Sequence, residues 1–128
     1  MGDLFSLYCQ DCGYEVELHS GVGMMYSSLE NVLFLVSKAR REKVKELLRR
    51  EDLSAVSYKH TIFTCPECSL QDSRFNFRIE YGEGEVYQPY FLCSHCRTRL
   101  VEDDQPRITD QCPVCGSMNV MTGFGVWD

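Results

Sequence analysis

The sequence predicts an α+β fold held by two four-thiolate metal sites. Three observations support this fold class: the cysteines form four C-x-x-C pairs, one stretch has helical periodicity, and several others alternate as strands do. No cysteine is left outside these pairs. The predicted metal ligands are Cys9, Cys12, Cys65, Cys68, Cys93, Cys96, Cys112 and Cys115.

Alternating apolar and polar residues predict the strands. YEVEL (14–18) has the pattern of a half-buried strand, and RFNFRIEY (74–81) sets aromatic and aliphatic side chains against polar ones. The turn GEGE (82–85) should fold the chain back along VYQPYFL, whose proline suits an edge strand. The tail MNVMTGFGVWD should form a last strand or an apolar strap.

One helical segment is predicted between the first two cysteine pairs. Ser27 and Glu30 have the spacing of a capping box, in which each side chain satisfies a backbone N–H at the helix start. Apolar residues then recur at helical spacing from Leu29 to Leu48. The pattern weakens over 37–41, which predicts a division into two shorter helices.

Length and composition predict one compact unit with two parts. Residues 1–72 would hold the first knuckles and the helical insertion, and 73–128 the hairpin and the C-terminal ribbon. The longest uncharged apolar run, 33–36, is too short for a membrane span. The N-terminus lacks the pattern of a secretory signal, so we expect a cytoplasmic protein. In that reducing compartment the cysteines should bind metal rather than form disulfides.

The spacing of the pairs leaves three ways of sharing two metals. The 15 residues between Cys96 and Cys112 match a common zinc spacing, which favours pairing 93/96 with 112/115 and 9/12 with 65/68. A nested arrangement joins 65/68 with 93/96 and leaves 9/12 for 112/115. The third arrangement is interleaved. Each one binds two zinc ions per chain, although four thiolates also accept iron.

The cysteine turns resemble known metal knuckles. CQDCGY and CPVCGS look like the knuckles of rubredoxin, and CPEC and CSHC like those of zinc ribbons. The chain is also similar to small bacterial zinc-ribbon proteins of unknown function with four C-x-x-C motifs. The resemblance implies zinc-ribbon or rubredoxin-like β-hairpins around an inserted helix, and metal binding without an activity. CSHC and CPEC depart from the rubredoxin form because no glycine follows the second cysteine.

No residue set has the spacing of a catalytic site, so we expect no enzyme. The predicted function is a non-catalytic zinc-binding module that mediates protein or nucleic-acid interaction. The alternatives are a rubredoxin-like iron electron carrier and a zinc-thiolate redox sensor. A dithiol redox centre is disfavoured because no pair opens a helical pattern.

Residues 38–51 carry seven basic and three acidic residues, a local charge of +4 within a chain of net charge −6. This helix could contact nucleic acid, although a solvated helix explains it as well and the pI near 5.0 opposes non-specific binding. A protein partner is therefore expected first, and no membrane.

Other residues offer weaker candidate sites. The aromatic face of 75–81 could stack bases or form sheet core, and GVG (21–23) could hold an anion or simply turn the chain. His19, His60 and His95 need no special role, since eight cysteines complete two sites.

Overall fold

A computed structural model describes residues 2–23, 26–103, 105–106 and 110–127. Strands dominate this part of the chain, and the two helical segments follow each other directly. In chain order the elements are β1 (Gly2–Cys9), β2 (Glu15–Gly21), a 3₁₀ helix (Glu30–Leu35), α1 (Lys38–Leu48), β3 (Leu53–Thr64), β4 (Gln71–Tyr81), β5 (Glu85–Tyr87), β6 (Val101–Glu102) and β7 (Val120–Trp127).

All seven strands belong to one antiparallel sheet. Its order is β5-β4-β3-β2-β1-β7, and the short β6 pairs with the end of β3. The two ends of the chain lie side by side, because β1 pairs with β7 from Gly2↔Trp127 to Cys9↔Val120. Among the residues that the structure describes, strands β2 and β3 pair at Gly21↔His60 alone. The sheet therefore has a β2-β1-β7 part and a β3-centred part, and the β2–β3 pairing joins them.

The helical segments cover one face of β4. The side chains at the contact are apolar on both sides, so burying them drives the helices onto the sheet. They are Leu29, Val32, Val36, Val44 and Leu47 from the helical side and Phe75, Phe77 and Ile79 from β4. A smaller core joins Phe63 and Leu100 to Cys65 and Cys93.

The predicted strands at 14–18 and 74–81 and in the C-terminal tail are confirmed by β2, β4 and β7. The predicted α+β fold is corrected to a mostly antiparallel β-sheet with few helical residues. Strands β1 (Gly2–Cys9) and β3 (Leu53–Thr64) are not among the predicted strands. The predicted return strand over 86–92 is wrong in extent, since β5 ends at Tyr87.

The helical insertion is divided as predicted, but its start is not capped as predicted. A 3₁₀ helix replaces the first α-helix, and its N-cap residue is Leu29, which has no capping side chain. The hydroxyl of Ser28 accepts a hydrogen bond from the backbone N–H of Asn31, at 3.3 Å, and among the described residues Ser27 accepts none from the backbone there. Instead the Asn31 side-chain amide donates a hydrogen bond to the Ser27 hydroxyl. The extended backbone of Val36 (ψ 139°) then separates this segment from α1, in agreement with the weakening of the pattern at Ser37.

Strand β4 runs across position 72, where the two predicted parts of the chain meet. Their division stays a prediction. Within the described ranges, neither helical segment has the length and apolar character needed to cross a membrane.

Candidate metal centres

The four C-x-x-C turns have the same backbone hydrogen bonds. In each turn the N–H of the first cysteine donates to the carbonyl five residues ahead, at 2.8–2.9 Å, and the N–H just after the second cysteine donates back to the first cysteine's carbonyl, at 2.9–3.0 Å. These bonds close a tight loop that presents both sulfurs on one side. The four turns are knuckles of one kind, although their sequences differ.

The residue after the second cysteine has a left-handed backbone in every knuckle. The φ angle is 78° at Gly13 and 77° at Gly116, where glycine adopts it freely. It is 61° at Ser69 and 67° at Arg97, where a Cβ makes the same conformation unfavourable. The two knuckles without glycine therefore keep the rubredoxin-like turn at a local cost in strain.

The knuckles meet in two groups of four sulfurs. Within each group the sulfur atoms lie within 4.8 Å of one another. Cys9 ends β1 and the knuckle of Cys112 leads into β7, so the pairing of β1 with β7 assembles the first group. The groups, called site 1 and site 2 below, are Cys9/Cys12/Cys112/Cys115 and Cys65/Cys68/Cys93/Cys96.

The favoured sequential pairing is wrong, and the nested alternative is the one observed. Pairing 93/96 with 112/115 relied on sequence spacing, which carries no information about sheet order. In the structure β6 pairs with the end of β3, next to Cys65, and this brings the Cys93 knuckle to the Cys65 knuckle. Strand pairing, rather than the number of residues between cysteine pairs, therefore determines which knuckles share a site.

Sulfur separations in both groups suit a four-thiolate metal ion. In site 1 the distances from Cys9 to Cys115 and from Cys12 to Cys112 are 3.6 Å. In site 2 the corresponding distances are 3.4 and 3.5 Å. A tetrahedral ion with Zn–S bonds of about 2.3 Å would separate its sulfurs by about 3.8 Å. A disulfide needs about 2.05 Å, and all eight cysteines are free.

Each pair contributes one inner and one outer sulfur. The first cysteine of every pair is buried, whereas Cys12, Cys96 and Cys115 are exposed and Cys68 is half-buried. Each of the contacts given above joins the first cysteine of one knuckle to the second cysteine of the other. The two knuckles of a site are therefore related by an approximate two-fold arrangement.

Backbone N–H groups favour ionisation of two inner thiols, those of Cys93 and Cys112. Those of Cys96 and His95 lower the pKa of Cys93 to about 6. Burial raises the pKa of Cys112, but the N–H groups of Cys115 and Val114 outweigh it and bring the pKa to about 7. Thiolates are the form that binds metal, so these N–H groups favour metal binding.

Polar side chains around the sulfurs were missed by sequence reasoning. Asp11, inside the first knuckle, accepts hydrogen bonds from Ser117 and from Asn119 (3.2 Å), which ties the two knuckles of site 1 together. These bonds lower the pKa of Asp11. In site 2 the hydroxyl of Thr98 lies 3.2 Å from the sulfur of Cys96. Only their position beside a cysteine pair could have singled them out.

The other sequence candidates fall outside these sites. His95 is exposed within its knuckle, and His60 lies 2.6 Å from the Tyr26 hydroxyl in a ring cluster with His19 and Trp127. Burial, and then the charge of His19, lowers the pKa of His60. His19 and His60 therefore pack against other rings of the sheet.

Two candidate ligand surfaces are not formed. The face of Phe75, Phe77 and Ile79 is buried beneath the helical segments, so base stacking there is wrong and the core interpretation holds. Gly21 ends β2, and the first helical residue is Glu30, so the glycines do not open a helix that could hold an anion. Met24 and Met25, just beyond them, lie outside the described residues.

Comparison with known proteins gives no family for this chain. No protein-family model, no curated protein and no solved structure matches it. The two four-cysteine groups are consistent with zinc-ribbon-like sites and could hold metal ions.

Double substitutions test which cysteines share a metal. Cys9→Ser with Cys112→Ser removes ligands from site 1 alone and should leave one metal per chain. Cys9→Ser with Cys65→Ser damages both sites and should leave none. Native mass spectrometry counts the bound metal in each variant. The reverse result would restore the sequential pairing, and loss of both metals in both variants would indicate the interleaved one.

The strained knuckles predict a stabilising substitution. Ser69→Gly should raise the free energy of unfolding by about 0.5–1 kcal/mol, because relief of the left-handed strain exceeds the added chain entropy. Ser94→Gly is the matched control, since its φ is not positive and glycine should destabilise there by a similar amount. Guanidinium unfolding of the zinc-loaded proteins measures both. Equal shifts of the same sign would contradict the assignment of strain to Ser69.

Proposed function

We propose that the chain is a non-catalytic zinc-binding module, with one zinc ion in each four-cysteine site, that acts by binding a protein partner. The observation that carries the proposal is the convergence of all eight cysteines into two groups of four sulfurs. Each group would saturate a tetrahedral ion, whereas a catalytic zinc keeps one position open for water or substrate. A structural role follows from that closed donor set.

A bound zinc ion would supply positive charge that offsets the charge of the thiolates. The chain positions the four sulfurs and donates hydrogen bonds to them. The inner cysteines fix the position of each site in the core, and the knuckle N–H groups stabilise negative charge on the sulfurs. In site 1 Asp11 holds the two knuckles in register. Because the apolar cores are small, they alone would permit several arrangements of the strands. These contacts favour one of those arrangements.

Two alternatives use the same eight cysteines. Four thiolates also hold iron, which would make the chain an electron carrier like rubredoxin. The exposed outer cysteines Cys12, Cys96 and Cys115 are accessible to oxidants, which is what a zinc-releasing redox sensor requires. Both alternatives predict metal chemistry that a closed structural zinc site should not show.

Metal analysis and metal removal test the proposal. The purified protein should contain two zinc ions and be colourless, and excess chelator under reducing conditions should unfold it. Each structural zinc contributes on the order of 10 kcal/mol of apparent binding energy, comparable with the whole stability of a small domain. Circular dichroism follows the unfolding, and the chelator pre-saturated with zinc is the control.

Three outcomes of that experiment would contradict the proposal. A native circular dichroism spectrum after proven metal loss would show that the metals are dispensable. A coloured protein with iron absorption would support the electron carrier. Zinc release by mild peroxide that a reductant reverses would support the redox sensor.

The basic residues of 38–51 favour a protein partner over nucleic acid. Most of them already contact groups within the chain, so few positive charges remain for phosphates. Of the seven basic residues in 38–51, Arg40 lies over the ring of Tyr90, with Cζ 5.0 Å from the centroid. Arg41 donates a hydrogen bond to the carbonyl of Val36. Two others form ion pairs within the chain, Lys45–Glu42 and Arg50–Asp52. The remaining cations, Lys38, Lys43 and Arg49, are exposed.

Nucleic acid remains the second candidate partner, on one specific observation. The guanidinium groups of Arg40 and Arg99 both lie over Tyr90, whose ring is half exposed beside site 2. Neither arginine has an ion-pair partner among the described residues. Arginine beside an exposed aromatic ring is a common element of single-strand binding surfaces.

A binding titration separates the two partner classes. We expect a labelled single-stranded oligonucleotide to bind with a Kd of about 100 µM or weaker at physiological salt, at or beyond the weak end of the range for non-specific contacts. Fluorescence anisotropy measures the affinity. Tighter, saturable binding that Arg99→Ala weakens and Arg49→Ala leaves unchanged would make nucleic acid the partner. Arg49 is a suitable control because it is exposed on the helix away from Tyr90.

A further inference from the structure

Strand β7 forms an unprotected edge of the sheet. It ends the strand order, and its outer side has no strand partner in the described part of the chain. The strand is eight residues long, VMTGFGVW, and carries no charge and no proline. The opposite edge strand, β5, has three residues and is preceded by Glu83 and begins at Glu85. Proteins usually protect sheet edges with short strands, charges or proline, so β7 is exceptional.

Apolar side chains are exposed on both faces of β7. Phe124 is 75% exposed and Val126 62% on one face, and Met121 is 59% exposed on the other. The ring of Phe124 contacts Phe5 of β1 at a centroid distance of 5.1 Å and is otherwise largely open to solvent. A continuous apolar strip along an open strand is typical of an interface.

Strand β7 is also held rigidly at both ends. At its start, Asn119 accepts a hydrogen bond from the backbone N–H of Gln10 and donates one to Asp11 of site 1. At its end, the indole N–H of Trp127 donates to the carbonyl of Asp3, at 3.0 Å. The strand is therefore preorganised for pairing, which lowers the entropy cost of binding.

We propose that β7 pairs antiparallel with β7 of a second copy of this chain, so that the two sheets continue into one across a two-fold axis. An antiparallel strand pair about such an axis uses the same surface twice and needs no other complementarity. No register brings like charges together, because β7 has none. Elsewhere the net charge of −6 makes two copies repel, and the uncharged strip is where they can approach.

The exposed side chains supply area for a small interface of this kind. The strip on β7 comprises Met121, Phe124 and Val126, and the exposed Met118 and Tyr8 lie beside it. If the three β7 side chains Met121, Phe124 and Val126 each bury on the order of 100 Å², they contribute roughly 300 Å² per copy, before the strand backbones are counted. A standard interface buries about 800 Å² per partner, so this smaller contact is expected to give a weak dimer, with a Kd of about 1–100 µM.

The oligomeric state of the metal-loaded full chain tests this inference. Sedimentation and light scattering between about 1 and 100 µM should show a mass approaching twice 14.8 kDa. Phe124→Lys should raise the dimer Kd at least about tenfold, because a lysine on an open edge opposes strand pairing. Phe34→Lys is the matched control: Phe34 is 71% exposed on the 3₁₀ helix, and the dimer should be unaffected.

Hydrogen exchange of the unsubstituted protein gives an independent readout. Amides of β7 should exchange more slowly as the concentration rises, while those of β5 should not change. A monomer at 100 µM, or a dimer unaffected by Phe124→Lys with β7 exchange independent of concentration, would overturn the proposal. Metal content measured in the same samples separates this failure from a failure of the metal-binding proposal.

Discussion

Repulsion among thiolates is the constraint on which this structure depends. Two like charges about 4 Å apart repel by about 4 kcal/mol at an effective dielectric constant of 20, and each site brings four sulfurs within 4.8 Å. Knuckle N–H groups offset part of this repulsion, and a divalent cation would convert the remainder into attraction. At both sites that attraction acts on strand ends: site 1 joins the end of β1 to the start of β7, and site 2 joins the turn between β3 and β4 to the knuckle before β6. The strand pairing therefore determines where the two sites form, and metal binding at the sites would in turn stabilise that pairing.

The sequence predicts the local parts of this arrangement and not its long-range parts. The eight cysteines, the alternation in β4 and the division of the helical insertion follow from patterns a few residues long. The partner of each knuckle does not, because the pairing of Cys9 with Cys112 depends on β1 lying beside β7, across most of the chain. The N-terminal strand was missed because Phe5, Leu7 and Cys9 point to one face while Leu4 and Tyr8 on the other face are also apolar, which obscures the alternation. Ser69 and Arg97 show a further limit, since a knuckle can impose a left-handed backbone without glycine.

Few of the charged and aromatic side chains that the sequence marks as candidate binding groups remain free to contact a partner. The basic side chains of α1 are partly held by Tyr90, Tyr81 and neighbouring acids, so the local excess of charge in the sequence overstates the charge available to a ligand. The aromatic residues of β4 are likewise used within the core. In contrast, β7 was predicted only as a strand or strap, and it exposes the longest uncharged edge of the sheet. The sequence identifies the basic, aromatic and apolar segments that could bind a partner. The topology determines which of these segments remain exposed.

The two sites also differ in what they contribute to folding. Site 2 closes a loop of 24 residues between Cys68 and Cys93, and site 1 closes one of 99 residues between Cys12 and Cys112. Loop-closure entropy makes the longer closure less favourable by about 1.3 kcal/mol in a flexible chain. Site 2 and the β3–β4 hairpin can therefore form from local contacts, whereas site 1 requires β7 to find β1 after most of the chain is ordered. The contacts that only site 1 has, from Asp11 to Ser117 and Asn119, lie where they oppose this larger entropy cost. We therefore expect the C-terminal strand to be the last element to form, and among the described strands it is also the long one whose outer edge stays unpaired.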